Sequence, residues 1–214
     1  MIIGIPVYDE VDMLDVAGPF EMFDWAGFEI DLLAEQKGPK RFRSKGFTFN
    51  VEKTFADARA YDAIWVPGGE IAALAAIIDD PDQTYLKFLV AQAARTPKPM
   101  VCSVCEGAML LAAAGLLDNY HATTHWAFIP CFAERFPDVI VAEGNPRFVL
   151  DRNRLTGGGI SSGLDEALML IQLLQGTVAA QKVQQSTQYY PDPPVTSAIP
   201  APPPHCLLPP RGAR

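Results

Sequence analysis

Cys105 closes the run Pro99-Met-Val-Cys-Ser-Val-Cys105, and the small-residue stretch Glu106-Gly-Ala-Met-Leu-Leu-Ala opens directly after it. A short apolar strand that ends on a cysteine, with a helix starting at the next residue, presents the side chain at the top of a sheet. Backbone N–H groups of the new helix then point past the sulfur. The helix N-terminus also favours the thiolate, so a pKa below the ordinary value of about 8.5 is expected. Gly107 and Ala108 allow close backbone approach, which favours a reactive cysteine over a buried, inert one at a strand end. The chemistry to expect is nucleophilic addition by sulfur.

In open parallel sheets a site forms beyond the carboxyl ends of the strands. Three such ends, 8–15, 67–70 and 104–106, can meet here. Asp15 stands just before the first expected helix, suited either to capping it or to shuttling a proton beside the sulfur. Desolvation and a neighbouring negative charge would both raise the pKa of its carboxyl. Gly68 and Gly69 follow a buried strand and leave a backbone N–H for a developing negative charge, with the Glu106 N–H as second donor; a plain tight turn is the alternative. Ile160 and Ser161 face the same place, after a Gly157-Gly158-Gly159 run that lacks the Lys-Ser/Thr of a phosphate loop.

The remaining polar candidates are weaker. Cys102 and Cys105 have redox-motif spacing, yet Cys102 falls inside the strand, so the pair should not face each other. His125 is the histidine nearest the elbow and a candidate base. Thr124 or Thr123 reads instead as the cap of the helix opening at His125. His121 is expected at the surface and His205 lies in the tail. Three scattered histidines give no metal-ligand spacing, and no metal site is expected.

The elements that must hold these residues alternate. Strands are expected at 2–7, 28–34, 47–51, 62–67 and 100–104, with later pieces near 139–142, 148–150 and 155–156. Helices are expected at 17–25, 71–78, 81–94 (with Pro81 in its first turn), 107–114 ending at Gly115, 126–135, 165–174 and 178–185. Such alternation predicts an α/β fold, a mainly parallel sheet sandwiched by helices in the flavodoxin-like manner. One domain is expected over 1–190. Nine prolines then fall between 191 and 210 and predict an extended, proline-rich tail over 191–214.

Composition narrows the function. With 214 residues, 49% hydrophobic and 20% charged, the chain can bury one large core. A net charge of −8 without any Lys/Arg stripe argues against nucleic acid. No apolar run reaches the roughly 18 residues that span a bilayer. Four cysteines without an apparent signal segment point to a reducing cytoplasm rather than a disulfide framework.

Several phrases together resemble the ThiJ/PfpI superfamily, part of the class I glutamine amidotransferase-like fold. They are Asp15-Val-Ala-Gly-Pro, Val66-Pro-Gly-Gly, Ser103-Val-Cys105-Glu-Gly-Ala, Ala112-Ala-Ala-Gly-Leu-Leu, Ala122-Thr-Thr-His-Trp and Leu155-Thr-Gly-Gly-Gly-Ile. The resemblance covers roughly residues 2–190 and within the superfamily is nearest to isonitrile hydratases. It implies a homodimer, no cofactor, a small-molecule substrate, and catalysis by Cys105 with Asp15. Glu106 departs from the pattern, which has threonine directly after the nucleophile. A carboxylate there opposes thiolate formation if it points inward, or it serves as a second proton carrier. Two other activities fit the superfamily: a ligand-sensing module like the amino-terminal half of AraC-like regulators, and an amidase or protease. The chain shows no basic recognition helix for the first and no histidine after the cysteine for the second.

Overall fold

The computed structural model describes residues 1–210, so the last four residues of the expected tail lie outside the description. The chain begins with β1 (Ile2–Pro6), α1 (Met13–Trp25), β2 (Glu29–Ala34), β3 (Gly38–Arg41), β4 (Thr48–Val51) and β5 (Lys53–Thr54). It continues with β6 (Ala63–Val66), α2 (Ile71–Ile78), α3 (Thr84–Ala93), β7 (Met100–Ser103) and α4 (Gly107–Ala113). Next come β8 (His121–Ala122), α5 (Ile129–Arg135), β9 (Ile140–Val141), β10 (Phe148–Asp151), β11 (Arg154–Gly157), α6 (Ser162–Gln175) and α7 (Thr177–Ser186).

Seven strands form the central sheet in the order β10-β11-β7-β6-β1-β2-β5. Every neighbour is parallel except the β10–β11 edge hairpin. The protein is therefore an α/β sandwich with a mainly parallel sheet. α1, α6 and α7 pack together, as do α2 to α5, and the helices flank the sheet. Strands covered on both faces need continuous apolar sequence. Ala63-Ile-Trp-Val in β6 is buried at every position. Trp65 and Phe23 meet edge to face inside that core.

Three boundaries differ from expectation for identifiable reasons. α1 starts at Met13, four residues early, because Asp12 already has extended cap geometry. Asp15 is thus inside the first turn and is not the cap. α3 begins at Thr84 rather than at Pro81. Its entry is made by left-handed Gln83, with the Asp80 carboxylate accepting the Thr84 and Asp82 N–H groups at 2.9 and 3.1 Å. The segment 126–135 is a 3₁₀ turn over Trp126–Phe128 followed by α5, with Pro130 in the first turn of the helix.

The expectation of unpaired cysteines is overturned. Cys131 on α5 is joined to Cys206 in the proline-rich segment, a sequence separation of 75. Beyond α7 the described chain has no regular secondary structure. Its far end is nonetheless fixed: Leu208 is buried, Arg135 donates to the Pro209 carbonyl at 2.9 Å, and the Cys206 N–H reaches Glu134 at 3.1 Å. No helix among the described residues is long and apolar enough to cross a membrane.

Candidate active site

The strand ends of β1, β6 and β7 converge on one sulfur. Cys105 follows β7 with φ +57°, a left-handed backbone unusual for a side-chain-bearing residue. Its surroundings hold it there. Its N–H donates to the Gly158 carbonyl at 2.9 Å, and the Thr124 hydroxyl donates to its carbonyl at 2.8 Å. Gly107 completes the elbow: a Cβ there would lie 2.1 Å from the Val66 carbonyl oxygen, so only glycine fits. Cys102 stays in β7, paired in register with Trp65 and Leu155, away from any redox partnership.

Asp15 is placed by its helix. Pro19 sits inside α1 and has no N–H for the carbonyl four residues back. The Trp65 indole N–H takes that carbonyl, Asp15 O, at 3.0 Å. On the side chain, Oδ2 accepts the Gly68 N–H at 2.8 Å, while Oδ1 is buried without a partner. Burial, then Asp12 and Glu106, push the Asp15 carboxyl well above its ordinary pKa.

Glu106 points inward. It is 8% exposed, its Oε2 is buried without a partner, and burial pushes its pKa up to about 7. A hydrogen bond with the Cys105 thiol partly offsets that rise. Gly68 lies between the two carboxylates. A Cβ on it would stand 2.5 Å from Glu106 Oε2 and 3.0 Å from Asp15 Oδ2.

The sulfur's own titration corrects the sequence expectation of a low pKa. Burial, followed by the charges of Asp15 and Glu106, pushes the Cys105 thiol well above its ordinary value. The Ile160 backbone N–H, bonded to Cys105, works in the opposite direction and is weaker. In the resting protein, desolvation overrides the helix terminus, and the elbow holds a thiol between a protonated Asp15 carboxyl and a Glu106 carboxyl that titrates at about 7.

The other expected residues have definite places. Gly69 packs against Tyr8 and the Glu10–Val11 backbone, and it is the Gly68 N–H that meets Asp15. His125 itself caps the 3₁₀ turn, its Nδ1 accepting the Ala127 N–H at 3.3 Å. Its ring packs on Gly159, where a Cβ would come within 2.6 Å. Burial lowers its pKa. Thr124 supports the Cys105 carbonyl rather than a helix. Leu14, Thr124, His125, Trp126 and Ile160 help to line a cavity of about 380 Å³. Cys105 is fully buried one layer behind that wall.

Tyr8, Asp12, Arg43 and Trp65 were missed from sequence. The Tyr8 hydroxyl donates to the Pro67 carbonyl at 3.1 Å, and Arg43 donates to Asp12 at 2.5 Å. One atom each from Asp12, Asp15, Cys105 and Glu106 lie within 4.8 Å of one another. Three carboxylates and a thiol are a donor set that a divalent cation can use, although Asp12 is engaged by Arg43. Counting histidines could not reveal such a cluster. The usable signal was Asp12 itself, three residues before Asp15 at the helix entry.

Comparison with known proteins shows which family the chain resembles. The chain is 37% identical over 199 residues to an isonitrile hydratase from Pseudomonas putida, covering 92% of this chain and 82% of that one. It is 31% identical over 151 residues to the HTH-type transcriptional regulator GbdR from Pseudomonas aeruginosa, but spans only 37% of that protein. Among solved structures, a ThiJ/PfpI family protein from Pseudomonas syringae superposes with a TM-score of 0.82 at 32% identity, covering 92% of this chain and 78% of the other. The family signature itself runs over residues 1–173, and the chain belongs to the DJ-1/PfpI family.

Proposed function

We propose that the protein is a cysteine-dependent isonitrile hydratase that converts R–N≡C and water into an N-substituted formamide. The observation that supports this most is the meeting of the Cys105 sulfur with Asp15 and Glu106, one atom from each within 4.8 Å of the others. Relatedness to an isonitrile hydratase supports the choice of substrate.

Glu106, with its pKa near neutrality, accepts the thiol proton as sulfur adds to the isonitrile carbon. Asp15, held protonated by burial, delivers its proton to the same carbon, which gives a thioimidate, R–N=CH–S–Cys105. Water then adds to that carbon. Asp15 takes a proton from the water, and Glu106 returns its proton to nitrogen. The tetrahedral adduct expels sulfur, which regains its proton from the new hydroxyl, leaving the formamide and the resting site. Atoms and protons balance over the cycle. The Ile160 backbone N–H, bonded to the sulfur, steadies charge there, and His125 and Thr124 shape the entry rather than act as bases. Substrate reaches the sulfur by displacement of the Thr124–His125–Ile160 wall.

An assay of the purified protein with an aryl isonitrile, following formamide by chromatography, tests this directly. Cys105→Ser should abolish turnover, and Asp15→Asn should keep the fold and lose about a hundred- to ten-thousand-fold in rate. Undiminished hydration by Cys105→Ser would overturn the mechanism.

The complete burial and raised pKa of Cys105 favour one alternative, a ligand-sensing module of the kind joined to regulators. Isonitrile binding detected by thermal shift without turnover would support that reading. A homodimer and a cytoplasmic location belong to the same proposal. Size-exclusion chromatography against the 23.3 kDa chain mass checks the first. The second would expose the Cys131–Cys206 bond to reductants.

A further inference from the structure

The wall of the 380 Å³ cavity contains one residue from outside the 14–162 region, Ile199, which comes from the proline-rich tail. Nothing in the local sequence sends Ile199 there. It stands seven residues before Cys206, whose disulfide with Cys131 fastens the tail to α5. The fixed points beyond it are the Cys206 N–H on Glu134, His205 Nδ1 at 3.5 Å from the same Glu134 carboxylate, buried Leu208, and the Arg135 bond to Pro209. Between Ile199 and the disulfide, prolines occupy 200, 202, 203 and 204. Each fixes φ and stiffens the link, so a clamp at 206 is transmitted to position 199 as a restraint on place.

On the inner side of the same cavity lie Ile160, His125 and Thr124. Two of them bond directly to Cys105, Ile160 through its N–H and Thr124 through its hydroxyl. A molecule approaching the sulfur by this route passes between the tail and those residues. Leu14, Trp126, Ile160 and Ile199 make the passage largely apolar, suited to an uncharged aliphatic or aryl group.

We infer that Ile199 is a specificity-determining residue, the outer wall of the passage to Cys105, and that the Cys131–Cys206 disulfide holds it in position. The identity of the passing group as the R substituent of an isonitrile rests on the function proposed above; the wall itself does not. Reduction of the bond by an added dithiol, which is itself oxidised to a disulfide as Cys131 and Cys206 become free thiols, frees the strap and widens the passage, so accessible substrate size depends on the redox state of a bond far from the sulfur in sequence.

The test uses the full chain, oxidised, beside Ile199→Ala and Cys206→Ser. Position 199 is 56% exposed, so truncation there leaves the core intact. Cys105 is alkylated with iodoacetamide and, separately, with a bulky N-aryl maleimide, and the labelled peptide is quantified over time. Both variants should raise the bulky-to-small rate ratio about tenfold, the scale on which a pocket discriminates by one or two carbons. Reducing the wild-type chain should do the same, while reduction should leave Cys206→Ser unchanged. A ratio that stays constant in both variants, including no reaction with either reagent, overturns the inference. Parallel assays with methyl and aryl isonitriles separate the two proposals. A shifted alkylation ratio with no hydration by any chain retains the wall and removes the hydratase; hydration with an unshifted ratio and unshifted KM does the reverse.

Discussion

Glu106 is the carboxylate that turns inward beside the sulfur, and its titration makes that placement measurable. The carboxyl rises from 4.5 to about 7 on folding, mainly through burial. Folded protein therefore holds this proton more tightly than unfolded chain does. Its contribution is favourable at acid pH, fades as pH climbs past 4.5, and is gone above about 7, a swing of about 3 kcal/mol. Glu106→Gln should flatten the loss of stability between those pH values, measured by urea unfolding at pH 5 and pH 8. In the wild type, kcat should rise through pH 7 as Glu106 ionises and fall when Asp15 gives up its proton. Glu106→Gln should lose the acid limb. That Cys105, Asp15 and Glu106 would come together was legible in sequence because each lies at or just beyond the carboxyl end of a strand. Asp12, Arg43 and Trp65 were not, since their partners are joined only by tertiary approach across 31 and 50 positions.

At the scale of elements, the loop after β6 does more than turn the chain. Gly68 gives its N–H to Asp15 and leaves the space that both carboxylates occupy. Gly68→Ala should force them apart. Overpacking of this kind destabilises by about 1–3 kcal/mol, but the larger effect should appear in kcat of the proposed hydration, reduced while the circular dichroism spectrum is retained. The long apolar strands and most helices could be read directly, because buried parallel strands carry continuous Val, Ile and Trp runs. β3, β5 and β8 escaped detection. Gly38-Pro-Lys-Arg, Lys53-Thr54 and His121-Ala122 are short and have no apolar alternation, so only pairing makes them strands.

Across the whole molecule, the tail changes character from an appendage to a fastened strap. Its composition revealed extension but not destination, since two cysteines 75 positions apart carry no framework spacing. Closing so large a loop restricts the unfolded chain, and removal should lower stability by about 2–5 kcal/mol. Differential scanning calorimetry of Cys206→Ser against oxidised wild type should show the loss, and reduced wild type should match the variant.

The Pro19 gap in α1 has a spectroscopic consequence. Trp65 lies fully out of water with its indole donated to the Asp15 carbonyl, whereas Trp25 is 53% exposed. Its fluorescence should be blue-shifted and shielded from acrylamide, so the protein carries an intrinsic optical gauge of where its acid-bearing helix stands. Any adduct at the neighbouring sulfur that shifts this helix would change the lifetime of that emission, and chemistry at the elbow could be timed without a chromogenic substrate.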